Sequence, residues 1–212
     1  MGSLIITAGP VDVALLPGCR VAARAAQGEA FEPESLAAWA QMVRPGLAAL
    51  DVGAYTGLYA IAAVKLGAKA YAFEPMRAQC DRLEENAELN GVKIEIRRVA
   101  VSDFAGAAEF RFNARVPLTS GGSLVGKGPN SQTVITRRLD ELDLPPVAAI
   151  KIDVERAEDK VLRGARQLIA AHRPQILAEV LDLNGMSVLE RLLPRYRVQR
   201  LLDGRNAWMV PL

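Results

Sequence analysis

The sequence predicts an α/β fold in which a mostly parallel sheet carries helices on both faces and ends in an antiparallel hairpin. Short apolar runs alternate along the chain with segments of helical periodicity, the pattern of parallel strands joined by crossover helices. A glycine-containing turn at residues 53–57 follows the first core strand and leads into a helix. Near the C-terminus, Asp203-Gly204 lies between segments 196–201 and 207–210 and indicates a hairpin turn.

The individual elements follow from these patterns. Residues 47–52 form an apolar run and are predicted as the first core strand, after which Leu58, Ile61 and Ala62 repeat at helical spacing. A helix over residues 31–43 is expected before this strand. The other expected elements are strand 68–73, helix 76–89, strand 93–99, strands 109–113 and 133–138, strand 147–152, helix 157–171, strand 175–180, helix 187–193 and hairpin strands 196–201 and 207–210.

Length and composition indicate one enzyme-sized domain. The 212 residues, half of them hydrophobic, can build a sizeable core, and we expect an N-terminal accessory segment over 1–45 and a catalytic core over 46–212. A net charge of +2 gives no general field that would attract nucleic acid or a membrane surface. Two cysteines cannot form a disulfide framework, and no run approaches the ~20 apolar residues of a membrane span.

The first residues of the chain bear on where the protein is expected. Residues 1–8 contain no basic segment followed by a long apolar run, so no signal peptide is evident. We therefore expect a cytoplasmic protein that has no nucleic-acid partner. Neither composition nor patterning indicates an oligomeric state.

The turn at residues 53–57 predicts a site for a nucleoside-containing ligand at the carboxyl end of the first core strand. Gly53 is expected to let the backbone approach the ligand closely, and Gly57 is expected to let the helix pack against the strand. Glu74 ends the next strand, where its carboxylate can accept hydrogen bonds from both ribose hydroxyls.

Two common nucleotide motifs are not met. Tyr55 and Leu58 stand where the dinucleotide fingerprint G-x-G-x-x-G has its second and third glycines, and no G-x-x-x-x-G-K-[ST] loop occurs. Asp51, two residues before the first glycine, would also repel a phosphate. The motif Asp51-Val-Gly-Ala-Tyr-Thr-Gly57 instead resembles the S-adenosylmethionine loop of class I methyltransferases. That cofactor carries an amino-acid tail and a sulfonium cation but no phosphate.

Further motifs extend the resemblance to the FkbM family of S-adenosylmethionine-dependent methyltransferases, over residues 47–180. The motifs, in order, are Asp51-Val-Gly-Ala-Tyr-Thr-Gly57, Phe73-Glu74-Pro75, Asn86-Ala-Glu-Leu-Asn90, Ala100-Val-Ser-Asp103 with Gly106, Leu139-Asp-Glu-Leu142, and Ile150-Lys-Ile-Asp-Val-Glu155 with Ala157-Glu158. The resemblance implies a Rossmann-like, seven-stranded sheet and O-methylation of a hydroxyl on a small molecule, a sugar or a lipid-linked glycan. The sequence departs from the family at Tyr55, where Asn is usual, and at Arg156, where Gly is usual.

The resemblance also implies a set of cofactor-binding residues around the turn and the ends of the next two strands. They are Asp51, Gly53, Ala54, Tyr55, Thr56, Gly57, Glu74, Pro75, Ala100, Val101 and Asp103. Ala100 and Val101 are expected beside the adenine ring, and Asp103 is assigned to the adenine amino group. A cap on the turn at residues 104–106 would explain Asp103 equally well.

The catalytic candidates follow the fourth core strand. Methyl transfer from a sulfonium is an in-line displacement, so the protein must align the acceptor oxygen and take its proton. We assign Asp153 as the base or the acceptor-orienting residue, Glu155 as its partner and Lys151 as a weaker candidate. Glu179, at the end of the fifth strand, suggests a Mg²⁺ site together with Asp153. Alternatively, Asp153 and Glu155 only cap the helix that begins at residue 157.

Two other functions stay open at this point. One is an NAD(P)-dependent oxidoreductase, which the glycine spacing disfavours, and the other is a nucleotide-binding regulatory module that has lost catalysis. Residues 114–131 show no clear periodicity, and we interpret them as a mobile lid over the acceptor pocket. His172 and Cys80 are interpreted as structural residues.

Overall fold

The computed structural model of this chain describes residues 2–115, 118, 121–180 and 182–212. Its strands are β1 Leu4–Ala8, β2 Val11–Leu15, β3 Ala48–Val52, β4 Lys69–Phe73, β5 Glu95–Arg97, β6 Ala100–Val101, β7 Gly106–Phe112, β8 Asn130–Arg137, β9 Val147–Ile152, β10 Gln175–Glu179, β11 Tyr196–Arg200 and β12 Asn206–Pro211. Its helices are α1 Arg20–Ala26, α2 Pro33–Met42, α3 Leu58–Lys65, α4 Arg77–Leu89, α5 Glu158–Arg163, α6 Arg166–His172 and α7 Leu183–Leu192, and a 3₁₀ turn covers Leu139–Glu141.

Seven strands form the central sheet, in the order β11-β12-β10-β9-β3-β4-β5. Strands β10, β9, β3, β4 and β5 run parallel to one another, and β12 runs antiparallel between β10 and β11. The predicted α/β fold with a mostly parallel sheet and a C-terminal hairpin is therefore confirmed. The hairpin folds back so that its second strand, not its first, pairs with β10.

The connections diverge between β3 and β9, the two strands at the middle of the sheet. Strand β3 leads through α3 to β4 on one side, and β9 leads through α5 and α6 to β10 on the other. Such a divergence leaves a crevice outside the carboxyl ends of the strands, where ligands of open α/β sheets bind. Both predicted functional segments, the turn after β3 and the carboxylates after β9, begin at this crevice.

Apolar clusters cover both faces of the sheet. One cluster contains side chains of α1, α2, α3 and α4, with Trp39 fully buried at its centre. The other contains side chains of α5, α6 and α7. All five residues of β3 are buried, as expected of a central parallel strand that is covered on both sides. Because the strands are held rigidly between these clusters, their ends are well-defined supports for a site.

The N-terminal segment contains structure that the sequence patterns did not predict. Strands β1 and β2 form an antiparallel hairpin, and α1 follows it. Asn86 of α4 and Asn90, the residue that caps its C-terminus, hold this segment: Leu16 N–H donates to Asn86 Oδ1 at 2.9 Å, and Ala14 N–H donates to Asn90 Oδ1 at 3.0 Å. The described residues of this segment, from 2 to 45, thus pack on the same cluster as α3, while the division of the chain at residue 46 stays a prediction.

The predicted single helix over 157–171 is wrong, because the structure has two short helices there, α5 and α6. Gly164 lies between them, so close to the loop between β6 and β7 that a Cβ atom would come 2.0 Å from the Ser102 carbonyl oxygen. Asp140 Oδ1 then accepts hydrogen bonds from Gln167 N–H and Leu168 N–H, both at 3.0 Å. This carboxylate satisfies the free N–H groups at the start of α6, which makes a new helix start possible.

Other boundaries shift for local reasons. The strand predicted over 93–99 has only three residues in the central sheet, and β6 joins β7 and β8 in a separate three-stranded sheet. Helix α7 starts four residues before the predicted 187, because the Asp182 side chain accepts a hydrogen bond from Gly185 N–H and caps it. Within the described residues, every helix is too short or too polar to cross a membrane.

Candidate active site

The turn after β3 contains glycines at two positions where neighbouring segments pack too closely for a side chain. The N–H groups of Gly53 and Ala54 donate to the Phe73 carbonyl at 2.9 and 3.1 Å, which ties the turn to β4. A Cβ atom on Gly53 would come 1.9 Å from the Asp153 carbonyl oxygen, so this glycine lets the end of β9 approach. A Cβ atom on Gly57 would come 2.7 Å from Leu83 of α4. The expected packing of Gly57 against the strand is therefore corrected to packing against α4.

Asp51 is a buried anchor for α3. Its Oδ2 accepts a hydrogen bond from Ala60 N–H at 2.9 Å, inside the first turn of that helix. Burial raises the pKa of this carboxyl to about 7. A carboxylate at this place stabilises the positive end of the helix, and the side chain does not line either of the two clefts described below.

Glu74 is the second buried carboxyl of the turn. Its Oε2 accepts from Tyr55 N–H at 3.1 Å, and its Oε1 accepts from Met76 N–H at 2.9 Å. Burial raises its pKa to about 7. Each carboxylate oxygen has one backbone donor and keeps a further lone pair for a ligand, and the residue lines the first cleft.

The first cleft has an empty volume of about 560 Å³, open to solvent, at the carboxyl ends of β3, β4 and β6. The predicted residues that line it are Gly53, Tyr55, Glu74, Pro75, Ala100 and Val101. The lining does not include Asp51, Ala54, Thr56, Gly57 or Asp103.

Those five predicted residues support the cleft or lie beside it. Thr56 is buried, with its hydroxyl donating to Cys19 Sγ at 3.7 Å and its carbonyl accepting from the Asn86 amide at 2.8 Å. Asp103 accepts a hydrogen bond from the neighbouring Ser102 hydroxyl at 3.2 Å. The assignment of Asp103 to an adenine amino group stays a prediction.

Further lining residues come from segments that the motifs do not include. Met76 and Phe110 are buried and pack with Ala100 in a small apolar cluster against the three-stranded sheet, and Leu124 adds a partly buried side chain. Met76, Phe110 and Leu124 also line the first cleft, opposite the turn. The alternation of strand β7 predicts an inward Phe110, but no sequence signal indicates that β7 reaches this cleft.

The loop between β7 and β8 is placed differently from the expected lid. Gly122 and Leu124 line the first cleft, and the second cleft contains no described residue of this loop. The Tyr55 hydroxyl donates to the Leu118 carbonyl at 2.5 Å, so the loop is also fixed to the turn. Residues 116, 117, 119 and 120 of the predicted lid lie outside the described residues.

A second cleft, with about 580 Å³ of empty volume, adjoins the first. The two clefts share Gly53, Tyr55 and Asp153. The remaining lining residues of the second cleft are Arg20, Val21, Arg24, Phe31, Glu32, Glu155, Glu179 and Arg205. A ligand in the first cleft would therefore lie next to a ligand in the second, because the three shared residues line both clefts. The N-terminal segment provides one wall, so the sequence motifs alone could not predict this cleft.

Three carboxylates meet in the second cleft. Asp153, Glu155 and Glu179 each place a carboxylate oxygen within 4.8 Å of the others. Lys151 Nζ lies 3.4 Å from Asp153 Oδ2, and Arg205 Nη2 lies 2.5 Å from Glu179 Oε1. Among the described residues, the Glu155 carboxylate has no such partner.

The charges of this cluster depend on one another. Burial, with Asp153 and Glu179 nearby, raises the pKa of Glu155 to about 7. Burial and Asp153 also raise the pKa of Glu179. Burial opposes the charged form of Lys151, but the surrounding carboxylates outweigh it and raise its pKa. Lys151 is thus a buried cation, and its Nζ also lies 5.2 Å from the centre of the Tyr59 ring.

This donor set is a poor fit for the Mg²⁺ ion that the sequence suggested. Asp153 and Glu179 were its expected ligands, yet each already has a cationic partner, Lys151 and Arg205. Mg²⁺ requires near-octahedral oxygen ligands. The positive charges of Lys151 and Arg205 beside the cluster would also repel a further cation.

The turn after β9 is held in an unusual backbone conformation. Glu155 and Arg156 have φ values of +55° and +79°, which side-chain-bearing residues rarely adopt. Glu158 Oε1 accepts from Val154 N–H at 3.3 Å and from Arg156 N–H at 3.2 Å. The Ser123 hydroxyl donates to the Glu155 carbonyl at 2.6 Å. Glu158 therefore holds the turn that precedes α5, while no side chain of the described residues, Asp153 and Glu155 included, accepts a capping hydrogen bond from this helix.

Comparisons with known proteins identify the family of this chain. The sequence profile described as the methyltransferase FkbM domain matches residues 51–209. The 31-O-demethyl-FK506 methyltransferase FkbM of Streptomyces tacrolimicus is 29% identical over 178 residues, covering 68% of this chain and 68% of the relative. A ribosomal protein L11 methyltransferase of Caldicellulosiruptor bescii is 40% identical over 75 residues, 35% of this chain and 24% of the relative.

Solved structures share the fold. The methyltransferase FkbM of Methylobacillus flagellatus superimposes with a TM-score of 0.53 at 17% identity, covering 91% of this chain and 60% of that one. The 16S rRNA N2 G1207 methyltransferase of T. thermophilus gives a TM-score of 0.59 at 14% identity, covering 99% of this chain and 50% of that one. The matched profile spans most of this chain and includes the turn after β3 and the carboxylates after β9. The chain therefore belongs to the FkbM family of methyltransferases.

Proposed function

We propose that this methyltransferase transfers the methyl group of S-adenosylmethionine to a hydroxyl oxygen of a small molecule, a sugar or a lipid-linked glycan. The observation that carries the proposal is the meeting of the two clefts at Gly53, Tyr55 and Asp153. A cofactor in the first cleft would present its methyl group to an acceptor in the second. The relative from Streptomyces tacrolimicus is named for transfer to an oxygen, and the T. thermophilus neighbour was solved with AdoMet.

In this proposal the first cleft holds the cofactor. The free lone pairs of Glu74 accept the two ribose hydroxyls, and the apolar surfaces of Ala100, Val101 and Phe110 cover the adenine ring. The backbone of the turn, from Gly53 to Gly57, supports the methionine tail, while Asp51 holds α3 in place from behind. The cofactor supplies an electrophilic methyl group with a neutral thioether as leaving group. The protein must therefore align the acceptor and remove one proton.

The second cleft holds the acceptor. Asp153, which lines both clefts, orients the attacking hydroxyl, and the ion pair with Lys151 holds Asp153 at a fixed position. The walls combine an aromatic ring, Phe31, with charged groups, including Arg24. Such a lining suits a polar compound with several hydroxyl groups better than a purely apolar one.

A turnover screen tests the proposed function. Purified protein is incubated with S-adenosylmethionine and a panel of sugars, glycosides, phenols and macrolides, and release of S-adenosylhomocysteine is measured against acceptor-free controls. We expect release with at least one hydroxyl compound, and a product heavier by one methyl group. Cofactor binding without any release would favour the inactive nucleotide-binding module, and binding of NADH or NADPH alone would favour an oxidoreductase.

A further inference from the structure

We infer that Glu155 is the group that takes the proton of the acceptor hydroxyl, and that Ser123 is the positioning residue that holds it in place. This inference rests on the proposed function and changes the roles first expected, in which Asp153 was the likelier base. It also assigns a function to Ser123, which no motif includes.

The ion pairs of the cluster distinguish its three carboxylates. Asp153 is paired with Lys151 and Glu179 with Arg205, at 3.4 and 2.5 Å. One oxygen of each of these two carboxylates is occupied by a donor of its cation, so that oxygen is less available to the hydroxyl of an acceptor. Glu155 has no cationic partner at hydrogen-bond distance among the described residues and is half-buried in the wall of the second cleft. It is the carboxylate of the three that is best suited to accept a proton.

The groups around Glu155 support this role. Asp153, Glu179 and Glu158 face it from β9, β10 and α5 and oppose its ionised form, while Arg205 favours that form. The second cleft adds Arg20, Arg24 and Glu32 from the N-terminal segment. Burial and the first two carboxylates together bring the pKa of Glu155 to about 7, near the value that suits a general base.

Ser123 fixes the backbone that carries Glu155. Its side chain is 2% exposed, and its hydroxyl donates to the Glu155 carbonyl at 2.6 Å. The backbone of Ser123 forms a bridge with Arg111 of β7, with both N–H···O distances at 3.0 Å. A left-handed backbone at two successive side-chain-bearing residues is costly and persists only where the surroundings determine it. Ser123 on one side and Glu158 on the other provide these restraints.

The transfer step balances with these residues. A lone pair of the acceptor oxygen forms a bond with the methyl carbon as the bond from that carbon to the sulfonium sulfur breaks. The sulfur keeps the electron pair of the broken bond and becomes the neutral thioether of S-adenosylhomocysteine. The hydroxyl proton passes to the Glu155 carboxylate and is later released to solvent.

The experiment measures single-turnover transfer against pH, with a hydroxyl compound that gives turnover in the screen. Wild-type transfer is expected to rise with pH through about 7, because Glu155 must be ionised. Glu155→Gln is expected to lower the rate about a hundredfold or more and to abolish the rise, and Glu155→Asp to restore part of both. S-adenosylhomocysteine binding, measured by calorimetry, should stay within about twofold in these variants.

Asp153 and Ser123 give results that distinguish base from positioning residue. Asp153→Asn removes a charge that opposes ionisation of Glu155, so the pH midpoint should move down while the rise persists. Ser123→Ala should lower the rate at least about tenfold with cofactor affinity unchanged, and Ser123→Thr, which keeps the hydroxyl, should recover it. Ser187→Ala is the control, because its hydroxyl donates to the Leu183 carbonyl and neither residue lines the two clefts.

Each outcome has a defined meaning. If the wild-type protein transfers methyl groups and Glu155→Gln keeps the rate and pH profile, this inference fails while the proposed function stands. Loss of the pH-dependent rise in Asp153→Asn would return the role of base to Asp153. A Ser123→Ala variant with reduced melting temperature but unchanged rate would make Ser123 merely structural. If no hydroxyl compound is methylated at all, the proposed function fails and the inference with it.

Discussion

At the scale of single residues, Glu74 combines two roles that can be separated. It holds the N–H groups of Tyr55 and Met76, and in our proposal it also accepts the ribose hydroxyls. Glu74→Gln keeps an amide oxygen but loses the charge, so we expect S-adenosylmethionine affinity to fall about ten- to a hundredfold, or ~1.5–3 kcal/mol. Glu34→Gln, an exposed change in α2, is the control. Equal affinities in a calorimetric titration would remove Glu74 from the ribose site.

Tyr55 is the residue at which three segments meet. Its hydroxyl donates to the Leu118 carbonyl and accepts from Arg20 N–H at 3.2 Å, and its ring lines both clefts. In Tyr55→Phe the ring stays, but the loop between β7 and β8 loses this attachment. We expect faster tryptic cleavage at Arg115 and Lys127, with S-adenosylhomocysteine affinity changed by less than about fivefold.

Tyr71→Phe, whose ring packs under Arg97 away from the loop, is the control for this comparison. Cleavage rates that match those of the wild-type protein would show that the Tyr55 hydroxyl does not hold the loop.

At the scale of elements, the turn between β3 and α3 requires glycine at residue 53 because the backbone of residue 153 lies very close to it, and not only because φ is positive. Gly53 has φ +82° and would place a Cβ atom 1.9 Å from the Asp153 carbonyl oxygen, whereas Gly91 has φ +64° and open space around it. Gly91→Ala therefore meets backbone strain alone, and about 1 kcal/mol of stability should be lost. Gly53→Ala must in addition separate β3 from β9, and we expect a loss of at least about 3 kcal/mol.

Urea denaturation of the two variants measures this difference in the free energy of unfolding. Similar losses in Gly53→Ala and Gly91→Ala would mean that the ends of β3 and β9 are not packed as tightly as the structure shows.

At the scale of the whole molecule, buried carboxyl groups predict how stability depends on pH. Burial raises the pKa values of Asp51 and Glu74 to about 7, from ordinary values of 3.8 and 4.5. A raised folded-state pKa gives a contribution to stability that is complete below the unfolded pKa and is lost as pH rises through the folded one. The ligand-free protein should therefore melt at a higher temperature near pH 5.5 than near pH 8.

Scanning calorimetry of the wild-type protein and of Asp51→Asn/Glu74→Gln checks this expectation. The variant should show a weaker fall of melting temperature with pH, because the two titrating groups are gone. A wild-type melting temperature that rises from pH 5.5 to pH 8 would contradict the raised pKa values.

The sequence and the structure differ most where contacts join distant segments. The apolar runs predicted β3, β4 and β9 to within about one residue, because central strands covered on both sides are nearly continuous in hydrophobicity. The hairpin β1–β2 was missed, since its support comes from Asn86 of α4 and from Asn90 at the C-terminal end of that helix, about 70 residues away. Local patterns carry no information about such a contact.

The residues of the candidate site also differ in whether local sequence patterns could predict them. The motifs indicated Glu74 and Asp153, because each directly follows a core strand whose end is predictable. Ser123 and Arg205 were not indicated, since they reach Glu155 and Glu179 from loops whose path depends on the folded sheet. The preference for Glu155 over Asp153 as the base likewise depends on the ion pair with Lys151, which spacing alone does not show.

The measurement that tests the central claim most directly is a calorimetric titration of S-adenosylhomocysteine into the wild-type protein, beside NADH and NADPH. The two clefts that meet at Gly53, Tyr55 and Asp153 predict one bound S-adenosylhomocysteine per chain, weaker binding in Glu74→Gln, and no heat from either nicotinamide cofactor. A well-folded protein that binds neither S-adenosylmethionine nor S-adenosylhomocysteine would contradict the assignment of the first cleft, and with it the proposed function.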